Sequence, residues 1–245
     1  MKTTSIICYY QAVCFFHGMW GLDYVSMSTT SIKSLLAGIK NVQNTPTMQK
    51  DPILPAHLRK MSSVVSLANQ YHRLTWTAVL LMFRTLLRVS HIVTSPHQLL
   101  RKDIKFTTYG LDVLVHTSKT SKVLERIPVN KLSSSEICPV YYLKELFQLY
   151  PRSGSSPLFS TRSVKTFTYT EFRSMFKKFL RLANITGDYS SHSLRRGGAT
   201  FMSQSGCSLS EIRQRGLWKS DCVTRYIKPE FNYKVLQDGG LAAII

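Results

Sequence analysis

The spacing of apolar and polar positions changes period twice along this 245-residue chain. Apolar residues recur at helical spacing up to about residue 93, and alternating or β-branched runs follow between residues 103 and 129. Helical spacing then returns and continues to about residue 227. This order predicts a mainly α (α+β) fold, a helical domain with a small three-stranded antiparallel sheet near its start. The predicted helices cover residues 9–20, 30–39, 53–67, 74–93, 139–150, 169–183, 193–204, a short stretch after 208 and 221–227, and the strands cover 103–106, 111–116 and 123–129.

Residues that start or interrupt helices sharpen this prediction. Thr168-x-x-Glu171 and Ser208-x-x-Glu211 are capping boxes, which predict a helix start at each threonine or serine. Gly197 and Gly198 lie inside a predicted helix, where each costs about 1 kcal/mol relative to alanine. Their presence predicts the close approach of another backbone or of a ligand.

A polar stretch with three prolines, Pro46, Pro52 and Pro55, separates a short N-terminal piece from the main domain. We expect residues 1–43 to form two helices, which cannot enclose a core alone and would be the remnant of a truncated helical domain. Residues 44–55 are expected to be a linker, residues 56–230 the main domain and residues 231–245 a C-terminal tail.

The charge of the chain points to a polyanionic partner. Lys and Arg number 32 against 13 Asp and Glu, a net charge of +19, and the isoelectric point is near 9.9. Double-stranded DNA is the first candidate for such a partner. No apolar run approaches the roughly 20 residues of a membrane-spanning helix, so no membrane partner is expected. The five cysteines are odd in number and lack CxxC spacing, which indicates reduced thiols in an intracellular compartment and no zinc site.

Four separated segments carry candidate chemistry. They are Leu86-Leu87-Arg88-Val89-Ser90, the hairpin segment Thr117–Lys122, His192-Ser193-Leu194-Arg195-Arg196-Gly197-Gly198, and Trp218-Lys219-Ser220-Asp221 followed by Arg225-Tyr226-Ile227. His192 and Arg195 are three residues apart, so they share one face of a helix.

In this order the four segments resemble the catalytic domain of the tyrosine recombinases, a phage-integrase-like family, over about residues 44–229. The residues of the last two segments are most similar to those of integrases from eukaryotic mobile elements of the DIRS and Crypton type. The resemblance implies six catalytic residues: Arg88, Lys119, His192, Arg195, Trp218 and the nucleophile Tyr226. We also expect Lys122, Arg196 and Lys219 to bind DNA.

The resemblance implies further properties of the protein. Residues 1–43 would belong to a helical, SAM-like core-binding domain, and the active assembly would be a homo-tetramer on DNA, with a monomer in solution as the alternative. The protein would act in the nucleus, where a eukaryotic mobile element integrates, or elsewhere inside the cell.

The chemistry follows from these residue types. Arg88 and Arg195 can bind the non-bridging oxygens of a phosphodiester, whose charge grows in the transition state. A tyrosine hydroxyl ionises only near pH 10 in water, and the same cations would help it attack. The implied product is a 3′-phosphotyrosyl bond, with Lys119 giving a proton to the 5′-hydroxyl and with His192 and Trp218 orienting the phosphate. No acidic cluster, Cys/His set or GxxxxGK[ST] loop is present, so no metal, ATP or other cofactor is expected.

Three hypotheses stay open at this stage. The first is an active DNA strand transferase that acts as a site-specific recombinase or integrase. The second is a catalytically degenerate or domesticated copy that binds DNA without cutting it. His91 favours this second hypothesis because the family usually carries an acidic residue there, and the short N-terminal piece favours it too. The third is a type IB topoisomerase, which shares the chemistry but relaxes supercoils.

Overall fold

A computed structural model of the chain describes residues 3–24, 26, 29–43, 49–116, 124–133, 136–161, 167–218 and 221–227. The chain divides into two compact units, Met1–Gln49 and Lys50–Ile245. The first unit holds two helices packed on each other, α1 (Thr3–Met19) and α2 (Thr30–Gln43), as the spacing predicts. Large apolar side chains such as Phe15 and Trp20 are exposed on α1 and just after it. No helix in the described ranges is both long and apolar enough to cross a bilayer.

The second unit confirms the predicted fold, mostly helical with one small sheet. Its strands are β1 (Ile104–Phe106), β2 (Gly110–His116) and β3 (Leu124–Asn130), in the antiparallel order β1-β2-β3. Val113 in the middle strand pairs with Ile104 on one side and Ile127 on the other. The helices are α3 (Pro55–Ser62), α4 (Gln70–Thr85), α5 (Pro139–Leu149), α6 (Tyr169–Leu182), α7 (Ser191–Gln204) and α8 (Leu209–Arg215), with 3-10 helices at Val89–His91, Arg101–Asp103 and Asp221–Tyr226.

Helix α4 is the centre of the core. Its side chains from Leu74 to Phe83 are all buried, and it packs against α5, α6, α7 and β3. Trp76 makes edge-to-face contacts with Tyr142 of α5 and Phe179 of α6. A helix that is apolar on all faces belongs in the interior of a domain, which accounts for this placement.

The helix predicted over residues 74–93 ends eight residues early, and this part of the prediction is wrong. Leu86 follows the last residue of α4 in the left-handed conformation, with φ of 56°. That conformation usually marks a glycine or asparagine, so the leucine carries no signal of a helix end. Leu86 is fully buried in a second apolar cluster with Ala199, Ile212, Trp218 and Val223, and this burial offsets the strain. Arg88 therefore lies on extended backbone, with φ −77° and ψ 154°, and not within a helix.

Other boundaries also differ from prediction: α1 begins at Thr3 and not at Tyr9, α2 ends at Gln43 and not near Ile39, α4 begins at Gln70 and not at Leu74, and α3 ends at Ser62 and not near Leu67. The segment Asp221–Tyr226 is a 3-10 helix. Both capping boxes are confirmed, because the hydroxyls of Thr168 and Ser208 accept the backbone N–H of Glu171 and Glu211.

The two glycines of α7 allow backbones to touch, as the sequence predicts. A Cβ on Gly197 would lie within 3.0 Å of the backbone of Ile53, and one on Gly198 would lie within 3.0 Å of the Phe83 carbonyl oxygen. The backbone N–H of Ile53 also donates to the carbonyl of Ser193, at 2.9 Å. Helix α7 is thereby held between the chain before α3 and the end of α4.

Candidate active site

Arg195 is the most completely enclosed of those predicted site residues that the structure describes. Only 2% of it is exposed, and its guanidinium donates to the carbonyl of Leu86 and, at 2.7 Å, to the carbonyl of Gly216. The same group stacks on the ring of Trp218, at 3.9 Å from the ring centre. Burying an arginine is costly unless its charged group is paired. The two carbonyls and the Trp218 ring offset this cost and fix the orientation of the guanidinium.

The turn that receives Arg195 comes directly after α8. Leu217 in this turn has φ of 53°, and the ring of Trp218 folds back over Gly216, where a Cβ would lie within 3.0 Å of ring atoms. Arg215 fixes α8 from the other side, donating to the carbonyls of Arg84 and Pro128 at 2.7 and 2.9 Å. Burial, together with the nearby charge of Arg84, lowers the pKa of Arg215 to about 10, so it is charged at neutral pH.

Arg88 and Arg195 meet at one cavity of about 360 Å³. Arg88 is exposed and lies at the start of a 3-10 turn, whereas Arg195 reaches the cavity from α7. The other residues around this cavity, which we call the phosphate cavity, are Leu87, His91, His116, Glu125, Arg213, Gln214, Gly216, Leu217 and Trp218. Three arginines against one carboxylate give the cavity a positive charge.

His91 supports the backbone of Arg88. Its Nδ1 lies 3.2 Å from the Arg88 carbonyl oxygen. Burial lowers the pKa of His91 to about 4, and although the Arg88 carbonyl opposes this, the charges of His97, Arg88 and Arg195 lower it further. The side chain is thus a neutral imidazole at pH 7.

His192 stands on the exposed surface of α7, one turn before Arg195. Partial removal of water lowers its pKa, and the charges of Arg195, Arg88 and Arg196 lower it further. Its position one turn before Arg195 on α7 places the imidazole on the same side of the helix as that arginine. A neutral imidazole at pH 7 can accept a proton as well as orient a phosphate.

Tyr226 packs beside this group. Its ring lies 4.9 Å from the ring of Trp218 and 5.5 Å from the Arg195 guanidinium. Its backbone carbonyl accepts the hydroxyl of Thr200, at 3.2 Å. Tyr226 is half-buried and is not among the residues that line the phosphate cavity.

The structure thus brings together Arg88, His192, Arg195, Trp218 and Tyr226 of the predicted catalytic residues. Lys119, the sixth, lies outside the described residues, as do Lys122 and Lys219. Arg196 is placed against the tyrosine segment, where it is 9% exposed and donates to the carbonyl of Arg225 at 3.0 Å. Its predicted contact with DNA stays a prediction.

Arg213, His116 and Glu125 also line the phosphate cavity, and sequence reasoning did not single them out. In the sequence, His116 and Glu125 stand on either side of the segment that contains Lys119, so a search around that lysine would have found them. A basic stripe on α6 was missed as well, although its spacing of four residues is visible in the sequence: Arg173, Lys177 and Arg181 are all exposed.

No group of three or more His, Cys, Asp or Glu side chains within the described ranges is arranged to hold a metal ion. The chemistry that these residues themselves offer is the binding of an anion between arginines, with a tyrosine hydroxyl and imidazoles nearby.

Comparison with known proteins agrees with this arrangement. The model of the phage integrase family matches residues 58–232, and the chain belongs to this family. No curated protein sequence matches the chain at a significant level.

Several solved structures share the fold. The XerH site-specific recombinase bound to palindromic difH substrate is 16% identical with a TM-score of 0.61, and the match covers 80% of this chain and 54% of that one. The Tn1549 transposon integrase in complex with transposon right end DNA is 14% identical with a TM-score of 0.63, covering 93% and 76%. A lambda integrase dimer bound to a core site is 13% identical with a TM-score of 0.58, covering 82% and 58%. This chain therefore spans between about half and three quarters of the length of these relatives.

Proposed function

We propose that this protein cuts and rejoins double-stranded DNA through a covalent 3′-phosphotyrosyl intermediate on Tyr226, as a site-specific recombinase or integrase. One observation carries the proposal: the Arg195 guanidinium stacks on the Trp218 ring and donates to two backbone carbonyls, beside Tyr226 and at the wall of a cavity shared with Arg88. Family membership and the DNA-bound recombinases of the same fold support it.

In the first step a DNA phosphate binds in the phosphate cavity, and Arg88 and Arg195 donate to its non-bridging oxygens. Because Arg195 is already held by the protein, little reorganisation is needed as charge grows in the transition state. The neutral imidazole of His192 is suited to take up the phenol proton.

The covalent step exchanges one phosphate ester for another. The Tyr226 oxygen forms a bond to phosphorus, the bond from phosphorus to the 5′ oxygen breaks, and Lys119 supplies the proton that this oxygen needs. Tyr226 attacks from beside the phosphate cavity, where its ring packs on Trp218. Rejoining reverses the exchange with a 5′-hydroxyl as nucleophile, so no external energy source is required.

Two further features suit DNA as the substrate. The chain carries a net charge of +19, and the outer face of α6 presents Arg173, Lys177 and Arg181 to solvent while Phe172 and Phe176 anchor the helix in the core. Cations spaced along an exposed helix can follow a phosphate backbone.

We extend the proposal to the source and assembly of the protein. The texture of its motifs favours an integrase of a eukaryotic DIRS- or Crypton-type element acting in the nucleus, with residues 1–43 as part of a core-binding domain and residues 231–245 as a tail. The working form would be a homo-tetramer on DNA. Cross-linking on a DNA duplex should then trap tetramers, and the absence of any multimer on DNA would contradict this assembly.

The test of function is a covalent trapping assay on nicked duplex DNA that carries candidate element ends. An SDS-resistant adduct with the wild-type chain supports strand transfer, whereas DNA binding without an adduct identifies a degenerate copy. Strand exchange between two duplexes supports a recombinase, and relaxation of supercoils without exchange identifies a topoisomerase.

A further inference from the structure

Arg213 is joined to Trp218 by two hydrogen bonds. The Trp218 backbone N–H donates to the Arg213 carbonyl at 3.1 Å, and Arg213 Nε donates to the Trp218 carbonyl at 3.2 Å. The backbone hydrogen bond closes the turn after α8. The bond from Nε holds the charged side chain of Arg213 against the same turn. This turn carries the ring on which Arg195 stacks.

The side chain of Arg213 also reaches the phosphate cavity. Arg213 lies on the exposed face of α8, next to the buried Ile212, and lines the cavity together with Arg88 and Arg195. A guanidinium carries its donors in a rigid fork, so the Nε bond to Trp218 sets the direction of the terminal nitrogens. The residue is therefore oriented, cationic and accessible at the place where a phosphate would bind.

We propose that Arg213 is a third arginine of the active site, which contacts a phosphate of the bound DNA strand through its terminal nitrogens while its Nε fixes the Trp218 turn. This inference rests on the proposed function. Arg88 and Arg195 serve the non-bridging oxygens of the phosphate that is cut, so Arg213 contacts the neighbouring phosphate of the same strand.

Three substitutions separate charge from geometry. Arg213→Lys keeps the cation and loses the planar fork, Arg213→Gln keeps a short donor and loses the cation, and Arg213→Met removes both. Arg59→Met is the matched control, because it removes an exposed arginine of α3 that does not line the phosphate cavity.

The assay is single-turnover formation of the covalent adduct on a nicked duplex. Arg213→Met should slow it by about 10- to 100-fold, the range expected for one lost hydrogen bond to a charged group. Arg213→Gln should resemble Arg213→Met, Arg213→Lys should recover part of the rate, and Arg59→Met should match the wild type. The opposite order, with Gln close to wild type and Lys as slow as Met, would leave only a role in holding Trp218 and would overturn the inference.

Neutral phosphates locate the contact. Duplexes with a single methylphosphonate at or beside the cleavage position remove the charge of one phosphate at a time. When the phosphate next to the cleavage position is neutral, the wild type should form the adduct more slowly by the same factor as Arg213→Met does on unmodified DNA. The rate of Arg213→Met should not fall further on this duplex. Equal additional losses for Arg213→Met at every position would contradict the contact.

Failure of the proposed function gives a different result. If the wild type forms no adduct on any duplex, the same proteins and duplexes are compared by binding affinity in place of rate. The contact is still supported if only Arg213→Met and Arg213→Gln bind DNA more weakly than the wild type. This difference in affinity should disappear on the duplex whose neutral phosphate lies next to the cleavage position. Equal affinity of all variants overturns it.

Discussion

Adding one methyl group at Gly198 should disturb both the fold and the site, because α7 has no room to retreat. The Cβ of Gly198→Ala would stand 2.5 Å from Leu86 Cδ2, about 1 Å short of ordinary carbon contact. It would also press on the Phe83 carbonyl, which is backbone and cannot rotate away. On the other side of α7, Gly197 already touches the backbone of Ile53.

Two effects of opposite sign set the magnitude. Alanine is favoured over glycine in a helix by about 1 kcal/mol, whereas overpacking a core costs about 1–3 kcal/mol. Since backbone lies on both sides of α7, we take the upper end and expect a net loss of about 2 kcal/mol in the free energy of unfolding. For a chain of this size that corresponds to a melting temperature lower by about 4–8 °C.

The effect on activity should exceed the effect on stability. Gly198 lies one turn after Arg195 on α7. The Arg195 guanidinium donates a hydrogen bond to the carbonyl of Leu86, directly after α4, the helix against which Gly198 packs. A shift of about 1 Å there should slow adduct formation by about 100-fold at a temperature where the variant is folded.

Thermal unfolding and single-turnover adduct formation measure the two effects. Gly38→Ala in α2 is the control, since its added Cβ would meet nothing within 4 Å beyond its chain neighbours and the backbone of its own helix, and the change should not destabilise. A Gly198→Ala protein that melts at or above the wild-type temperature and forms the adduct at the wild-type rate would refute the reasoning.

Three more predictions concern the charges of the protein. Arg88→Ala should slow adduct formation by about 100- to 1,000-fold, which is the cost of losing one preorganised donor. Because Arg88 is exposed, the variant should keep its fold and most of its DNA binding. Collapsed DNA binding with an unchanged cleavage rate would contradict this prediction. DNA affinity of the wild type should fall by about 1,000-fold between about 50 and 200 mM salt if about six phosphates are contacted, and an affinity independent of salt would argue against phosphate contacts. His91 has a pKa of about 4 in the folded protein, and the unfolded chain takes up its proton near pH 6.5, so its contribution to stability is present above pH 6.5 and is lost as the pH falls towards 4. His91→Gln should therefore lose less stability than the wild type between pH 7 and pH 5 in urea unfolding, and identical pH dependence of the two proteins would contradict this assignment.

Much of the fold could be predicted from the sequence because the signals are local. The apolar and β-branched positions in Leu111–His116 mark a largely buried strand. The boxes at Thr168 and Ser208 satisfy first-turn N–H groups of α6 and α8. The spacing of His192 and Arg195 places both residues on one helix, α7. These predictions depend only on neighbours within one or two helical turns.

The features that the sequence could not predict depend on distant contacts. Leu86 ends α4 in a left-handed conformation because a cluster from α7, α8 and the final turn buries it, and nothing within four residues signals this. Arg196 looks like a surface cation beside Arg195, yet its guanidinium is committed to the carbonyl of Arg225, 29 residues later. Arg213 sits in an ordinary amphipathic helix, and only the folded turn at Trp218 reveals its position in the phosphate cavity.

The most direct test of the account is the identity of the residue that becomes attached to DNA. The wild-type chain and Tyr226→Phe are incubated with a nicked duplex, and the SDS-resistant adduct is digested and mapped by peptide sequencing. The account predicts an adduct on Tyr226 in the wild type and none with Tyr226→Phe, which loses one oxygen and keeps the ring that packs on Trp218. An adduct that survives in Tyr226→Phe, or that maps to Tyr189 or Tyr233, would contradict it.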